Sequence, residues 1–257
     1  ALYTYDASKA DWTLSTGGGL RLLEREEHIS SDGLTRTVLE TVRGADQSIV
    51  DQYAEVYRIF SFGERMIRRI WHPESITLEA DGSLSYGAAD PLINVQEYYE
   101  EGTGRRGRLN YRISPEGAWT TYDYDERGRT IKQVSQYLDS DFGDESASRV
   151  VEYDFTDPGV DETGDVRVTR RIESVAGVEV SRRYSIDVRN NDGHRLKLRR
   201  IVATVPGAAW NASTNLETVT LYTDPSGAFP GRVASITRPD GTGTNYDYAN
   251  ATEAFLF

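Results

Sequence analysis

Apolar and polar positions alternate along much of this chain. Val166, Val168 and Ile172 fall on alternate positions. Val178, Val180, Tyr184, Ile186 and Val188 do the same, with Arg182 in the slot between, and Leu196, Leu198 and Val202 follow. A period of two is that of a half-buried strand. The segments are punctuated by turn chemistry: Asn190-Asn191-Asp192-Gly193, Ser114-Pro115-Glu116-Gly117 after the alternating Leu109, Tyr111 and Ile113, and Asp125-Glu126-Arg127-Gly128. In such turns Pro presets φ and Gly supplies positive φ. Residues 20–60 are less decisive. Leu20 to Glu27 and Thr35 to Val42 have helix-compatible composition, but the β-branched Thr35, Thr37 and Val38 and the aromatic Tyr53, Tyr57, Phe60 and Phe62 favour strands, with room for one short helix. No Pro/Ser-rich linker or low-complexity stretch divides the chain, so residues 1–257 read as a single all-β domain.

Two stretches match position by position. One runs Gly107-Arg108-Leu109, Pro115-Glu116-Gly117 and Tyr122-Asp123-Tyr124, ending at Gly128. The other runs Gly231-Arg232-Val233, Pro239-Asp240-Gly241 and Tyr246-Asp247-Tyr248. In both, Gly and Pro are 8 residues apart, and Pro and the first Tyr are 7 apart. Self-similarity of this kind signals a repeat architecture, in which each unit packs against the next. The unit reads strand, Pro-x-Gly turn, Tyr-x-Tyr strand, Gly turn. Tyr122 and Tyr124 share one face and Asp123 and Asp125 the other, which predicts an antiparallel meander with one solvated side.

This wording resembles the YD repeat of the RHS family. Weaker echoes stand at Tyr3-Thr4-Tyr5-Asp6, Gly63-Glu64-Arg65, Glu152-Tyr153-Asp154-Phe155 and Leu221-Tyr222-Thr223-Asp224. The resemblance implies long antiparallel β-hairpins added edge to edge into a twisted or spiralling, shell-like sheet. In RHS and teneurin-type proteins such a sheet encloses cargo or supports cell–cell contact. It also implies that this chain is part of a larger chain or assembly. The RHS core is freed from its toxin at an Asp-Pro-x-Gly-type segment. Asp224-Pro225-Ser226-Gly227 has those words, but its place just before Gly231-Arg232-Val233 makes it an ordinary turn in this reading, and no toxin-like segment follows.

Composition narrows the function. Acids outnumber bases 41 to 29, a net charge of −12, which repels phosphate backbones and argues against nucleic acid. No apolar run approaches the roughly 20 residues of a membrane span. There are no cysteines, which removes disulfides, thiolate metal sites and cysteine nucleophiles. The 16 tyrosines, against 7 Phe and 4 Trp, suit a half-buried sheet whose hydroxyls reach water. The chain opens at Ala1 without a signal peptide and closes on Phe255-Leu256-Phe257, and reads as a mature or excised piece whose sheet edges pair with copies of itself.

Candidate chemistry is sparse. His28, His72 and His194 make no metal pair or triad spacing. Gly17-Gly18-Gly19 lacks the Lys-Ser/Thr of a phosphate loop and reads as a bend. The acidic loop around Asp139, Asp141, Asp144 and Glu145 offers oxygen ligands for calcium, against the commoner reading of a solvated loop; a second acidic loop spans residues 157–162. Trp12, Trp71, Trp119 and Trp210 suit either the core or sugar stacking. Asn211-Ala212-Ser213 and Asn250-Ala251-Thr252 fit the glycosylation pattern.

The expectation is therefore a non-enzymatic, extracellular or cell-surface structural module that forms part of a shell or a self-associating polymer. Its partners are neighbouring repeats, with carbohydrate or an enclosed polypeptide as further candidates, and it requires no cofactor other than optional calcium. A carbohydrate- or receptor-binding surface on the same sheet is the alternative. A glycoside-active or self-cleaving enzyme is the third reading. The residues expected to carry the scaffold are Gly107, Arg108, Pro115, Gly117, Tyr122, Tyr124, Gly128, Gly231, Arg232, Pro239, Gly241, Tyr246 and Tyr248.

Overall fold

Every described regular element is a β-strand. The structure is a computed structural model that describes residues 2–6, 11–16, 19–72 and 75–248, with side chains from Leu22 onward. Trp12's side chain, Gly17-Gly18, Asn250-Ala251-Thr252 and Phe255-Leu256-Phe257 lie outside the described residues. The chain forms two compact units, Ala1–Arg129 and Thr130–Phe257.

The first unit holds β1 (Leu2–Asp6), β2 (Asp11–Thr16), β3 (Gly19–Ile29), β4 (Thr35–Arg43), β5 (Ile49–Phe60), β6 (Gly63–Trp71), β7 (Ile76–Leu78), β8 (Leu84–Tyr86), β9 (Leu92–Tyr98), β10 (Leu109–Ile113) and β11 (Trp119–Tyr124). Its main sheet is an antiparallel meander in which each strand pairs with the next, except that β6 pairs with β9 and β7–β8 form a separate hairpin. Residues 20–60 become three strands, and no helix forms among the described residues. The β-branched and aromatic residues there pack on a pleated surface better than in a helical turn.

The second unit holds β12 (Thr130–Ser135), β13 (Arg149–Asp154), β14 (Asp165–Val175), β15 (Val178–Arg189), β16 (Arg195–Val202), β17 (Leu216–Tyr222), β18 (Val233–Thr237) and β19 (Gly243–Asn245). Each pairs antiparallel with its successor.

One turn geometry recurs. In residues 44–48, 79–83, 114–118, 125–129, 190–194 and 238–242 the first residue's carbonyl accepts from the fourth residue's amide, and its own amide donates to the fifth residue's carbonyl. This closes a tight hairpin turn whose fourth residue must take positive φ. Gly117 does so at φ 86° and Gly241 at 81°. The exception is Gln47, a non-glycine residue held at φ 67°. An Asp at the third position often accepts the fifth residue's amide and hydroxyl, as Asp46 does from Ser48 and Asp240 from Thr242.

Each unit has its own core on one sheet face. In the first, Leu39, Ala54 and Ile70 are covered by Ile76, Leu78 and Leu84 of the β7–β8 hairpin. Gln52 fastens that hairpin: its amide oxygen accepts from Ile76 N (2.7 Å), and its amide nitrogen donates to Ile76 O (2.9 Å). In the second, Val168, Tyr184, Ile186, Val188 and Ile201 pack with Val160 and Trp210 from the loops. Ile186 is fully buried, worth roughly 1.5–3 kcal/mol. The alternation in β15 therefore buries its C-terminal half, whereas Val178 and Val180 at its start stand exposed.

Candidate functional site

The two repeat units hold their signature residues in the same way. The Tyr124 hydroxyl donates to Leu109 O at 3.0 Å, and the Tyr248 hydroxyl to Val233 O at 2.8 Å. The Arg108 guanidinium lies 5.4 Å from the Tyr124 ring centre, and that of Arg232 lies 5.0 Å from Tyr248, a cation–π range. Leu109 pairs with Tyr98 and Val233 with Tyr222. Tyr99 N donates to Arg108 O and Thr223 N to Arg232 O. The second Tyr of Tyr-x-Tyr is thus the side chain that ties the unit together, supporting the strand that follows Gly-Arg. Tyr122 is half-buried and Tyr246 exposed. The copies differ in one respect: β11 carries both of its tyrosines, whereas β19 ends at Asn245, before Tyr246.

The remaining repeat residues shape turns. Pro115 and Pro239 sit at the second position of the recurrent turn and Gly117 and Gly241 at the fourth. Gly128 ends the turn after β11, packed under the Arg108 guanidinium, and Gly107 and Gly231 also take positive φ. Asp125 accepts from the amides of Arg127 and Arg129 and from Arg129 Nε. Asp224-Pro225-Ser226-Gly227 is a turn, with Gly227 N on Asp224 O and both Ser226 donors on Asp224 Oδ1.

The acidic loops are committed largely to protein contacts. Asp144 accepts from the Ser146 amide (2.9 Å) and hydroxyl (2.7 Å), which hold its carboxyl below the usual range. Glu145 pairs with Lys132 at 2.7 Å. Asp139 and Asp141 are exposed. Among the described residues no group of three or more His, Cys, Asp or Glu is disposed to hold a metal ion. In the second loop Asp157 caps the amides of Gly159 and Val160, which places Val160 in the core, and Glu162 pairs with Lys197. His72 is buried, its Nε2 2.5 Å from Ala89 O. His28 packs its ring over Gly82, and His194 lies in a turn.

The second unit also contains a cleft of about 230 Å³ over β14 and β15, walled by the loops after β13 and β16. Cross-strand register sets its floor: Asp154, Arg170 and Tyr184 lie directly opposite one another on β13, β14 and β15. Arg170 Nη2 meets Asp154 Oδ2 at 2.7 Å, and Asp154 also accepts from Thr156 N. Arg182 forks onto Glu179 through Nε and Nη2, and Glu179 accepts from Gly207 N. The Tyr184 hydroxyl donates to Ala208 O at 2.7 Å, while Trp210 lines the cleft and carries Arg199 at 5.2 Å. Sequence reasoning marked Trp210 but missed Asp154, Thr156 and Arg170. The available signal was two arginines, Arg170 and Arg182, at positions that alternate in step with the apolar Val166, Val168 and Ile172 of β14 and Tyr184, Ile186 and Val188 of β15.

Comparison with known protein families and with curated proteins returned no match for this chain.

Proposed function

We propose that this chain is a non-enzymatic structural β-repeat module of the YD-repeat type, working outside the cell or at its surface as part of a larger shell or polymer. One observation carries the reading. In both repeat units the residues that define the pattern serve the backbone: Tyr124 and Tyr248 support the strand after Gly-Arg, the arginines lie on their rings, and the Pro-x-Gly segments close the turns. Residues kept for architecture in this way suit a protein whose product is its own shape. Growth of such a sheet proceeds through main-chain pairing with neighbouring repeats or copies, which needs no cofactor and no catalytic group.

The test is negative-stain electron microscopy of the native material with its intact mass. Hollow closed particles or a longer chain support a shell wall, and regular filaments at the mass of this chain support a polymer subunit. Featureless monomers at that mass overturn both.

A further inference from the structure

We propose that the cleft over β14 and β15 is a binding site for a single neutral sugar ring. The proposal goes beyond the scaffold reading and does not depend on it. Two arginines line the cleft, but each already faces a carboxylate: Arg170 meets Asp154 at 2.7 Å and Arg182 meets Glu179 at 2.7 Å. The site is therefore close to neutral, and an anion entering it would meet Asp154 as well as the arginines. A purely apolar guest is less well suited, because it would cover the partly exposed Arg170–Asp154 pair without hydrogen-bonding to it.

A vicinal diol fits this floor. Each sugar hydroxyl both donates and accepts. Arg170 beside Asp154 offers a donor and an acceptor side by side, and the Arg170 side chain remains 40% exposed, so it is reachable from solvent. Trp210 and Pro158 supply apolar wall for the C–H face of the ring. The Asp154–Thr156 bond and the Asp157 cap on Gly159 and Val160 hold one wall in place without a ligand, and the Glu179–Gly207 and Tyr184–Ala208 bonds hold the other, which lowers the ordering cost of binding. The volume of about 230 Å³ is below the range of drug-sized pockets, so one ring is accommodated, not an oligosaccharide.

The experiment titrates the intact chain with the methyl glycosides of glucose, galactose, mannose and N-acetylglucosamine. It follows the Trp210 indole N–H by NMR, assigned with Trp210→Phe, and acetate and phosphate are titrated in parallel. The expected result is a saturable shift with at least one glycoside and magnetisation transfer from that sugar to Trp210 and Tyr184. Asp154→Asn should then weaken binding about tenfold, corresponding to about 1.4 kcal/mol. The magnetisation transfer is read on the unsubstituted protein, so it decides the matter even if Asp154→Asn does not fold. No shift with any glycoside, or an equal shift with acetate or phosphate, overturns the proposal.

Discussion

The Tyr124 hydroxyl donates to Leu109 O at 3.0 Å across fifteen residues of chain, and Tyr248 repeats the bond to Val233 O at 2.8 Å. Two copies of one sequence pattern thus hold one physical contact. Removing the donor leaves a strand carbonyl short of a partner, and a typical net loss is about 0.5–1.5 kcal/mol. Tyr124→Phe and Tyr248→Phe should each lower the unfolding free energy read from urea titration by that amount, whereas Tyr246→Phe, at an exposed ring, should change it little. Equal losses at all three positions would remove the second tyrosine from its special role.

Gln47 occupies the positive-φ position that glycine fills in the equivalent turns. A side chain there costs roughly 1–2 kcal/mol. Gln47→Gly should raise the melting temperature, offset in part by the added freedom of the unfolded chain. Gly117→Val should act in reverse, losing about 1–3 kcal/mol. Open space surrounds the site of an added Cβ at Gly117, so this loss would report backbone strain and not a clash. Gly104→Ala should cost more, because its Cβ would lie 2.1 Å from Asp125 O. Thermal denaturation of the three variants ranks them.

Gln52 binds both main-chain groups of Ile76, and Ile76 roofs the first core. Gln52→Ala strands a buried amide and carbonyl, at about 1–3 kcal/mol. The Ile76 amide should lose hydrogen-exchange protection before the β4–β5 amides do. Unchanged protection at Ile76 would show that apolar packing alone holds the hairpin.

Stability should fall at both extremes of pH. Arg195, followed by Arg189, holds the Asp187 carboxyl below its usual range, and Arg182 does the same to Glu179. The folded state therefore keeps these groups ionised after the unfolded chain has begun to take up protons. Their stabilisation is complete above the ordinary carboxylate values of about 4 and is lost as pH falls through the folded ones. At the alkaline end, burial and then the bond to Glu40 push Tyr53 up to about 12, and burial and then Asp123 push Tyr99 up to about 12. Between the ordinary tyrosine value of about 10 and those values the unfolded chain releases protons that the folded chain retains, so stability declines. Denaturant midpoints across pH check both limbs, with Asp187→Asn flattening the acid limb and Tyr99→Phe the alkaline one.

A bulge in β15 explains why the Glu179–Arg182 pair is not legible in the sequence. Alternation sets Glu179 and Arg182 on opposite faces, since their spacing is odd. Between Glu173↔Ser181 and Ser174↔Glu179 the register skips Val180, and the skip returns Glu179 to the Arg182 face, where they meet at 2.7 Å. Nothing in the residues 178–182 announces that slip, because it is set by the pairing of β15 with β14.

The sequence by itself determined the strands, the turns and the repeat, because a period of two and the φ demands of Pro and Gly act within a few residues. It also marked both tyrosines of each Tyr-x-Tyr pair, through identical spacing in two copies. The short helix admitted for residues 20–60 does not form there, since strand partners on either side outbid local propensity. Only the tertiary structure decided which tyrosine carries the unit, that β6 passes over a hairpin to pair with β9, and that Asp154, Arg170 and Trp210 share a cleft. These are matters of cross-strand register and of loops laid on a sheet face, relations between residues far apart in the chain that no local pattern encodes.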